Sequence, residues 1–381
     1  MATRIIRPFE LTAHERSVWR SFLRQTKALK SPFFLPEFAL AVGEVNPAAR
    51  VIVVEEDGHP TAFLPLQFAD HGEPVALGGS LNDYQGLIAA PDFRDAATEV
   101  LSAAGLSRFF CTKLLDWSSS FKDDVVAVRP SPYIDLSEGY AAWESGLGSG
   151  RQLKQMARKE RKLIREHGRL RFEFHEPSAA VLRTLIDWKR RQYVRSGEHD
   201  VLADGWPPQL LKRLLTLPDD CPLQPVLSTL YAGGKLVAAH YGLTGLGVFH
   251  CWFPVYNADF HRYSPGKLLL RHMLFHAPEY QLTRFDFGAG DEPYKYSFAN
   301  AESAVCRIII DRNRTRRWLR SRYYQLRMRL KQSEFGPRFK ALRMKLRGRT
   351  PPPREVVPDP DSRSIPAQTP AGSASPIEIT S

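Results

Sequence analysis

Two spacings of apolar residues alternate along this chain of 381 residues. Alternating or fully apolar runs predict strands over 51–55, 61–68, 109–114, 125–128, 133–136, 172–175, 226–231, 236–243, 248–256 and 284–287. Apolar positions at helical spacing predict helices over 13–29, 91–104, 140–147, 151–167, 179–195, 207–217 and 267–275, with a short buried helix after Pro36 within 33–42. Two strand pairs turn tightly, at Asp57-Gly58 and at Gly233-Gly234. Setting Gly58 against Gly234 puts Ala62 on Ala238 and VIVVEE on LSTLYA. The two hairpins thus repeat at an offset of 176 residues.

The densest pattern lies in 248–298. An apolar strand is followed by a polar loop over 257–266 and then by a helix whose apolar face includes Leu268, Leu269, Leu270, Met273 and Leu274. The first N–H groups of a helix lack internal partners and carry partial positive charge, so a strand–loop–helix turn is a candidate anion site. Ser264 is placed to cap the helix, Pro265 suits its first turn, and Gly266 lets a ligand approach the backbone. An ordinary strand–helix turn is the alternative.

The runs YSPGKLLLRHML and FDFGAGDEPYKYSF resemble the C-terminal half of the CelD-like branch of the GNAT acyltransferases, relatives of the FemAB aminoacyl transferases. The resemblance extends over roughly residues 30–310. It implies tandem GNAT-like domains with mixed central sheets, over 1–140 and 141–311. It also implies acetyl-CoA or a longer acyl-CoA as co-substrate, with no metal. In the family's pattern the loop 263–267 takes the place of the pyrophosphate loop, so Tyr263, Ser264, Gly266 and Lys267, with Tyr256, become cofactor-binding candidates. The usual glycine-rich form led by Arg or Gln is absent.

N-acyl transfer needs a proton acceptor for the amine, a donor for the developing oxyanion and accommodation of a thiolate leaving group. His240, flanked by small residues in a strand, either faces a cavity or fills the core. Asp291 is the leading carboxylate to accept the amine proton, and Tyr294 can protonate the thiolate. Asp286, Glu292 and Lys295 are candidates for substrate binding. Trp252 and Tyr256 alternate with His250 on one strand face, where they stack on a sugar or fill the core. No HExxH, G-x-S-x-G or GK[ST] motif occurs, which leaves metalloprotease, serine hydrolase and kinase readings without support.

Charge changes the picture at one end. The net charge is +12, yet 312–349 alone holds fifteen Lys/Arg against one acid, Glu334, or +14, which leaves −2 for the rest. Apolar and cationic residues interleave there as two amphipathic helices joined at Gly336-Pro337, a pattern that suits an anionic membrane surface. Arg316 and Arg320 also give a spacing suited to a phosphate-bearing nucleotide effector. RNA binding lacks a recognition module. The helix at 151–167 sets Leu153, Met156, Ala157, Glu160, Leu163 and Ile164 along one stripe, with its cations either solvated or meeting phosphate. The segment 350–381 is rich in Pro, Ser, Thr and Ala and is expected to be disordered. Four cysteines without a CxxC unit read as free thiols. No apolar run of membrane length and no signal core appear, so a cytoplasmic protein, peripheral on the inner membrane face, is expected. The resemblance points to acetylation of an amino sugar in exopolysaccharide or cell-envelope synthesis. Acylation of a long-chain amine, FemAB-like transfer from tRNA and a non-catalytic membrane-docked scaffold are the alternatives.

Overall fold

The computed structural model describes residues 1–332 apart from 116, 119, 148, 149, 204 and 291. The expected disorder of 350–381 and the second basic helix lie outside the described residues.

The first half runs β1 (Ala2–Ile6), α1 (Ala13–Gln25), α2 (Pro36–Val45), β2 (Ala49–Glu56), β3 (His59–Phe68), β4 (Pro74–Ala76), β5 (Ile88–Ala89), α3 (Ala97–Ala103), β6 (Arg108–Leu114) and β7 (Val125–Asp135). The second runs α4 (Tyr140–Gly146), α5 (Arg151–His167), β8 (Leu170–Glu173), α6 (Ala179–Ser196), α7 (Trp206–Leu214), β9 (Gln224–Ala232), β10 (Lys235–Gly245), β11 (Val248–Tyr256), α8 (Pro265–His276), β12 (Arg284–Asp286), α9 (Pro293–Tyr296), β13 (Ala301–Asp311) and α10 (Arg314–Gln332).

Local chemistry explains the main elements. A capping box starts α1: Thr12 Oγ1 accepts from the Glu15 N–H at 3.2 Å, and the Glu15 carboxylate accepts from the Thr12 N–H at 2.7 Å. Pro36 occupies the first turn of α2. Both hairpins turn through two successive left-handed residues, Asp57-Gly58 between β2 and β3 and Gly233-Gly234 between β9 and β10.

One mixed sheet joins the halves in the order β1-β2-β3-β4-β6-β13-β7-β12-β11-β10-β9-β8, with β5 beside β3. The halves exchange their last strands. β13, from the second half, lies between β6 and β7, and β7, from the first, pairs with β12. The fold is mixed α/β, two halves built on one large mixed sheet. Helices α1, α2, α6 and α7 share one core that takes residues from both halves. On the opposite face α8 and part of α4 and α5 cover the second half, and α3 covers the first.

Several boundaries differ from expectation. Only 97–103 of the helix expected over 91–104 is helical. The strands expected at 125–128 and 133–136 are one strand, β7, which passes through Pro130 and Pro132. The Pro132 carbonyl accepts from Phe287 N, on the β12 side. Residues two apart point to the same edge, so both prolines place their missing N–H where β12, paired only with 133–135, demands no ladder bond. β1 and β13 were not expected at all.

Candidate active site

β11 and β12 are parallel neighbours for three residues only: Val248 with Arg284, Phe249 with Phe285 and His250 with Asp286. β11 then runs on beside β10 to Tyr256, so among the described residues its segment 251–256 has no strand on its other edge. Within that segment Tyr241 faces Phe253 and Gly242 faces Cys251, which leaves Trp252 as the extra residue of a bulge. The bulge inverts the alternation. His250 and Trp252 both meet Phe33, and Phe253 and Val255 join Trp252 in the shared core. Tyr256 turns to the α8 side, where its ring lies 3.8 Å from the position a Gly266 Cβ would take. The expectation that Trp252 and Tyr256 share a face is corrected on this ground. Trp252 is 7% exposed and donates its indole N–H to the Leu81 carbonyl at 2.8 Å, so it fills the core.

The start of α8 is built by α5. Ser264 is left-handed (φ 54°) and its side chain does not cap the helix, contrary to expectation. Its hydroxyl accepts from Lys159 Nζ at 2.8 Å instead. Tyr263 is fully buried, and its hydroxyl contacts Glu166, Arg262 and His167, which pins the loop to α5. Glu160 on α5 binds His272 at 2.7 Å and Arg271 at 3.4 Å on α8. The His272 hydrogen bond leads in holding the Glu160 carboxyl below its usual range. Glu160 therefore interrupts the apolar stripe because it ties two helices together. Among the described residues nothing but the Tyr256 ring comes within 4 Å of a Cβ added at Gly266.

A polar cluster occupies the seam between the halves. Asp83, half-buried before β5, accepts from Lys113 at 2.5 Å and lies 3.0 Å from His250 Nε2. Burial opposes its charge, but Lys113 and the His250 hydrogen bond outweigh burial and hold the carboxyl well below the usual carboxylate range. Gly288 is left-handed (φ 65°), and a Cβ there would sit 2.7 Å from the Asp83 carboxylate, so only glycine fits. Asp286 is fully buried and accepts from Tyr84 Oη at 2.9 Å, Arg284 Nε at 3.0 Å and Gly288 N at 3.0 Å. Its expected contact with substrate is corrected: every bond it makes is internal, and it fixes the loop after β12. Burial, then the Asp286 charge, raises the Tyr84 phenol.

That loop carries the remaining candidates. Lys295, 6% exposed, donates to the Gly288 and Ala289 carbonyls at 3.3 and 3.4 Å and meets Glu292 at 3.1 Å. Its expected hold on a phosphate or substrate acid gives way to this internal role. Tyr294 is half-buried, and burial, then its neighbour Cys251, pushes its phenol up, so it stays protonated. Asp291 lies outside the described residues. His240 stands apart on the α8 face, its ring edge-on to Phe249 at 5.4 Å. Burial pulls it down to about 3, so it is neutral, and among the described residues its Nε2 has no partner.

Sequence patterns did not point to Lys189 of α6. Its Nζ lies 3.4 Å from the Pro254 carbonyl on the unpaired stretch of β11 and 5.3 Å from the Tyr193 ring centre. Burial pulls Lys189 down to about 8, against the charges of Glu292 and Asp83. Asp83 also went unseen, because a glycine-bearing polar stretch reads as surface loop. Among the described residues no group of three potential metal ligands occurs, and no helix is long and apolar enough to cross a membrane.

Residues 150–296 match the family model of an acetyltransferase (GNAT) domain. The chain is similar in structure to the C-terminal domain (DUF2156) of a protein described as a lysylphosphatidylglycerol synthetase from Agrobacterium fabrum, at 15% identity over 80% of this chain and 95% of that one, with TM-score 0.51. L-PGS from Bacillus licheniformis is similar at 14% identity over 80% and 95%, with TM-score 0.50. FemX is similar at 10% identity over 72% and 90%, with TM-score 0.48. No curated protein matches the chain.

Proposed function

From the premise that residues 150–296 form a GNAT acetyltransferase domain and that the protein is an N-acyltransferase, we propose that it moves an acyl group from acyl-CoA to an amine in the cleft beside β11. The observation that carries this reading is the parting of β11 from β12, which leaves the backbone of 251–256 open and ends it over the start of α8. An amide-bearing arm can add to an unpaired strand edge by main-chain hydrogen bonds. The α8 start, with Lys159 and Lys267, suits the phosphates that follow such an arm. The open space at Gly266 fits their approach.

The side chains then divide the work. Lys189 takes the proton of the attacking amine, since among the described groups near the cleft it is the one brought closest to neutrality without a short hydrogen bond. Tyr294, beside Cys251 and kept protonated, gives a proton to the departing thiolate. Asp83, held anionic, attracts the amine in its ammonium form. Asp291 keeps a proposed part in binding the amine on the sequence alone. His240 is left as a core residue.

The acceptor we propose is an amino sugar of a cell-envelope or exopolysaccharide precursor. A long-chain amine is the second reading, favoured by the exposed apolar residues of α10. The test is calorimetric titration with acetyl-CoA and a long-chain acyl-CoA, followed by thiol release with glucosamine or a long-chain base as acceptor. Saturable binding of one thioester and amine-dependent thiol release are expected. A folded protein that binds neither thioester would overturn the proposal.

A further inference from the structure

α10 faces the wrong way for a helix that only packs. Its inner side is engaged: Tyr324 is 7% exposed with the Arg307 guanidinium 3.9 Å above its ring, Arg317 meets Asp124 at 3.0 Å, and Arg320 pairs with Glu73. Its outer side carries four large apolar residues. Trp318, Leu319, Tyr323 and Leu326 are 57%, 54%, 68% and 58% exposed. At about 100° per residue these four fall within one sector opposite Tyr324. Arg322 and Arg329 fall within that sector, between Trp318 and Leu326, Arg314 borders it on the Trp318 side, and Arg316 and Arg327 border it beyond Tyr323. Among the described residues only Arg316 of these five has a carboxylate partner, Asp311.

The surface continues onto the neighbouring strand. Val128 of β7 is 61% exposed. It lines, with Val126, Arg129, Gly290, Met328 and Arg329, a groove of about 580 Å³ between the open edge of β7 and α10. Gly290 lies four residues before Tyr294, and none of the proposed cleft residues lines this groove.

We propose that this face of α10 and β7 docks on an anionic phospholipid bilayer. A face on which large apolar residues interleave with arginines and are bordered by more of them buries its hydrophobic side chains at the headgroup boundary while the cations reach acidic headgroups. The chemistry disfavours the other occupants. A second copy would bring two arginine rows together. The chain beyond Gln332 carries eight Lys/Arg against five acids, so it is itself cationic. The inference is independent of the acyl-transfer reading, because it uses none of the cleft residues.

The full chain is floated with vesicles of equimolar phosphatidylglycerol and phosphatidylcholine, and with phosphatidylcholine alone, across a salt series. Strong partition to the anionic vesicles, weakened by salt and at least tenfold lower on neutral ones, is expected. The double variant Leu319→Glu/Leu326→Glu should lose at least tenfold in partition, and Arg322→Ala/Arg329→Ala several-fold, with circular dichroism and thiol release on a soluble amine unchanged. Because the substituted side chains point outward, both variants should fold. If neither variant reduces partition, or the parent binds no vesicle, the proposal fails. It also fails if light scattering shows a dimer that Leu319→Glu/Leu326→Glu dissociates while neither form floats, or if the chain binds single-stranded RNA and not vesicles.

Discussion

Lys189 is a charged group in a place that resists charge. Its ammonium falls from an ordinary 10.5 to about 8 because burial strips its water. Below pH 8 it is protonated in both folded and unfolded chains, so the folded state bears the whole desolvation penalty, on the order of 3 kcal/mol. Between pH 8 and 10.5 the unfolded chain holds a proton that the folded chain has released, so stability rises with pH; above that window the penalty is gone. Lys189→Met should therefore unfold later in denaturant at pH 7, by about 1–3 kcal/mol, with the advantage fading between pH 8 and 10.5. Its thiol release should drop at least tenfold. A stability difference that stays flat across that window would mean the amine is not buried as a charge. Such residues were hidden in the sequence. Asp83, Lys113, Lys189 and His250 come from four distant segments, and no local spacing joins them. His240, conspicuous in its strand, points to the side that α8 covers.

At the scale of elements, α8 and the strands before it were legible because apolar runs and Pro265 mark them plainly. The bulge at Trp252 was not, because it exists only in the register of β11 against β10. That one extra residue decides that Tyr256, rather than Phe253, meets the head of α8. β13 was missed because its first four residues, Ala301, Glu302, Ser303 and Ala304, carry little apolar signal and gain strand form from β7. The head of α8 yields a direct prediction. Gly266 has ordinary backbone angles and open space around it, so Gly266→Val should change stability by less than about 1 kcal/mol. Its added methyls would occupy the approach to the helix start, and acyl-CoA affinity should fall at least tenfold by calorimetry. Unchanged affinity in a folded variant would place the phosphates elsewhere.

Across the whole molecule, the repeat of two hairpins was visible as aligned sequence, whereas the exchange of strands between the halves was not, since pairing over such separations leaves no local trace. The exchange predicts how the chain can be divided. Expressed alone, 1–138 lacks the β13 that belongs beside β6, and 139–381 lacks the β7 that belongs beside β12. Neither piece should unfold cooperatively by calorimetry, while the two co-expressed should copurify and show one transition. Independent cooperative melting of either piece would show that the exchange is not needed for its core. The same crossing sets a timetable during synthesis. β6 ends at Leu114 and β13 begins at Ala301, so at ordinary rates of translation the β6 edge waits roughly 10–40 s for its neighbour. Throughout that interval the nascent chain presents an unpaired, largely apolar strand edge, a template for aggregation. Yield in a cell should depend less on the finished protein's stability than on what shelters that edge while the ribosome finishes its work.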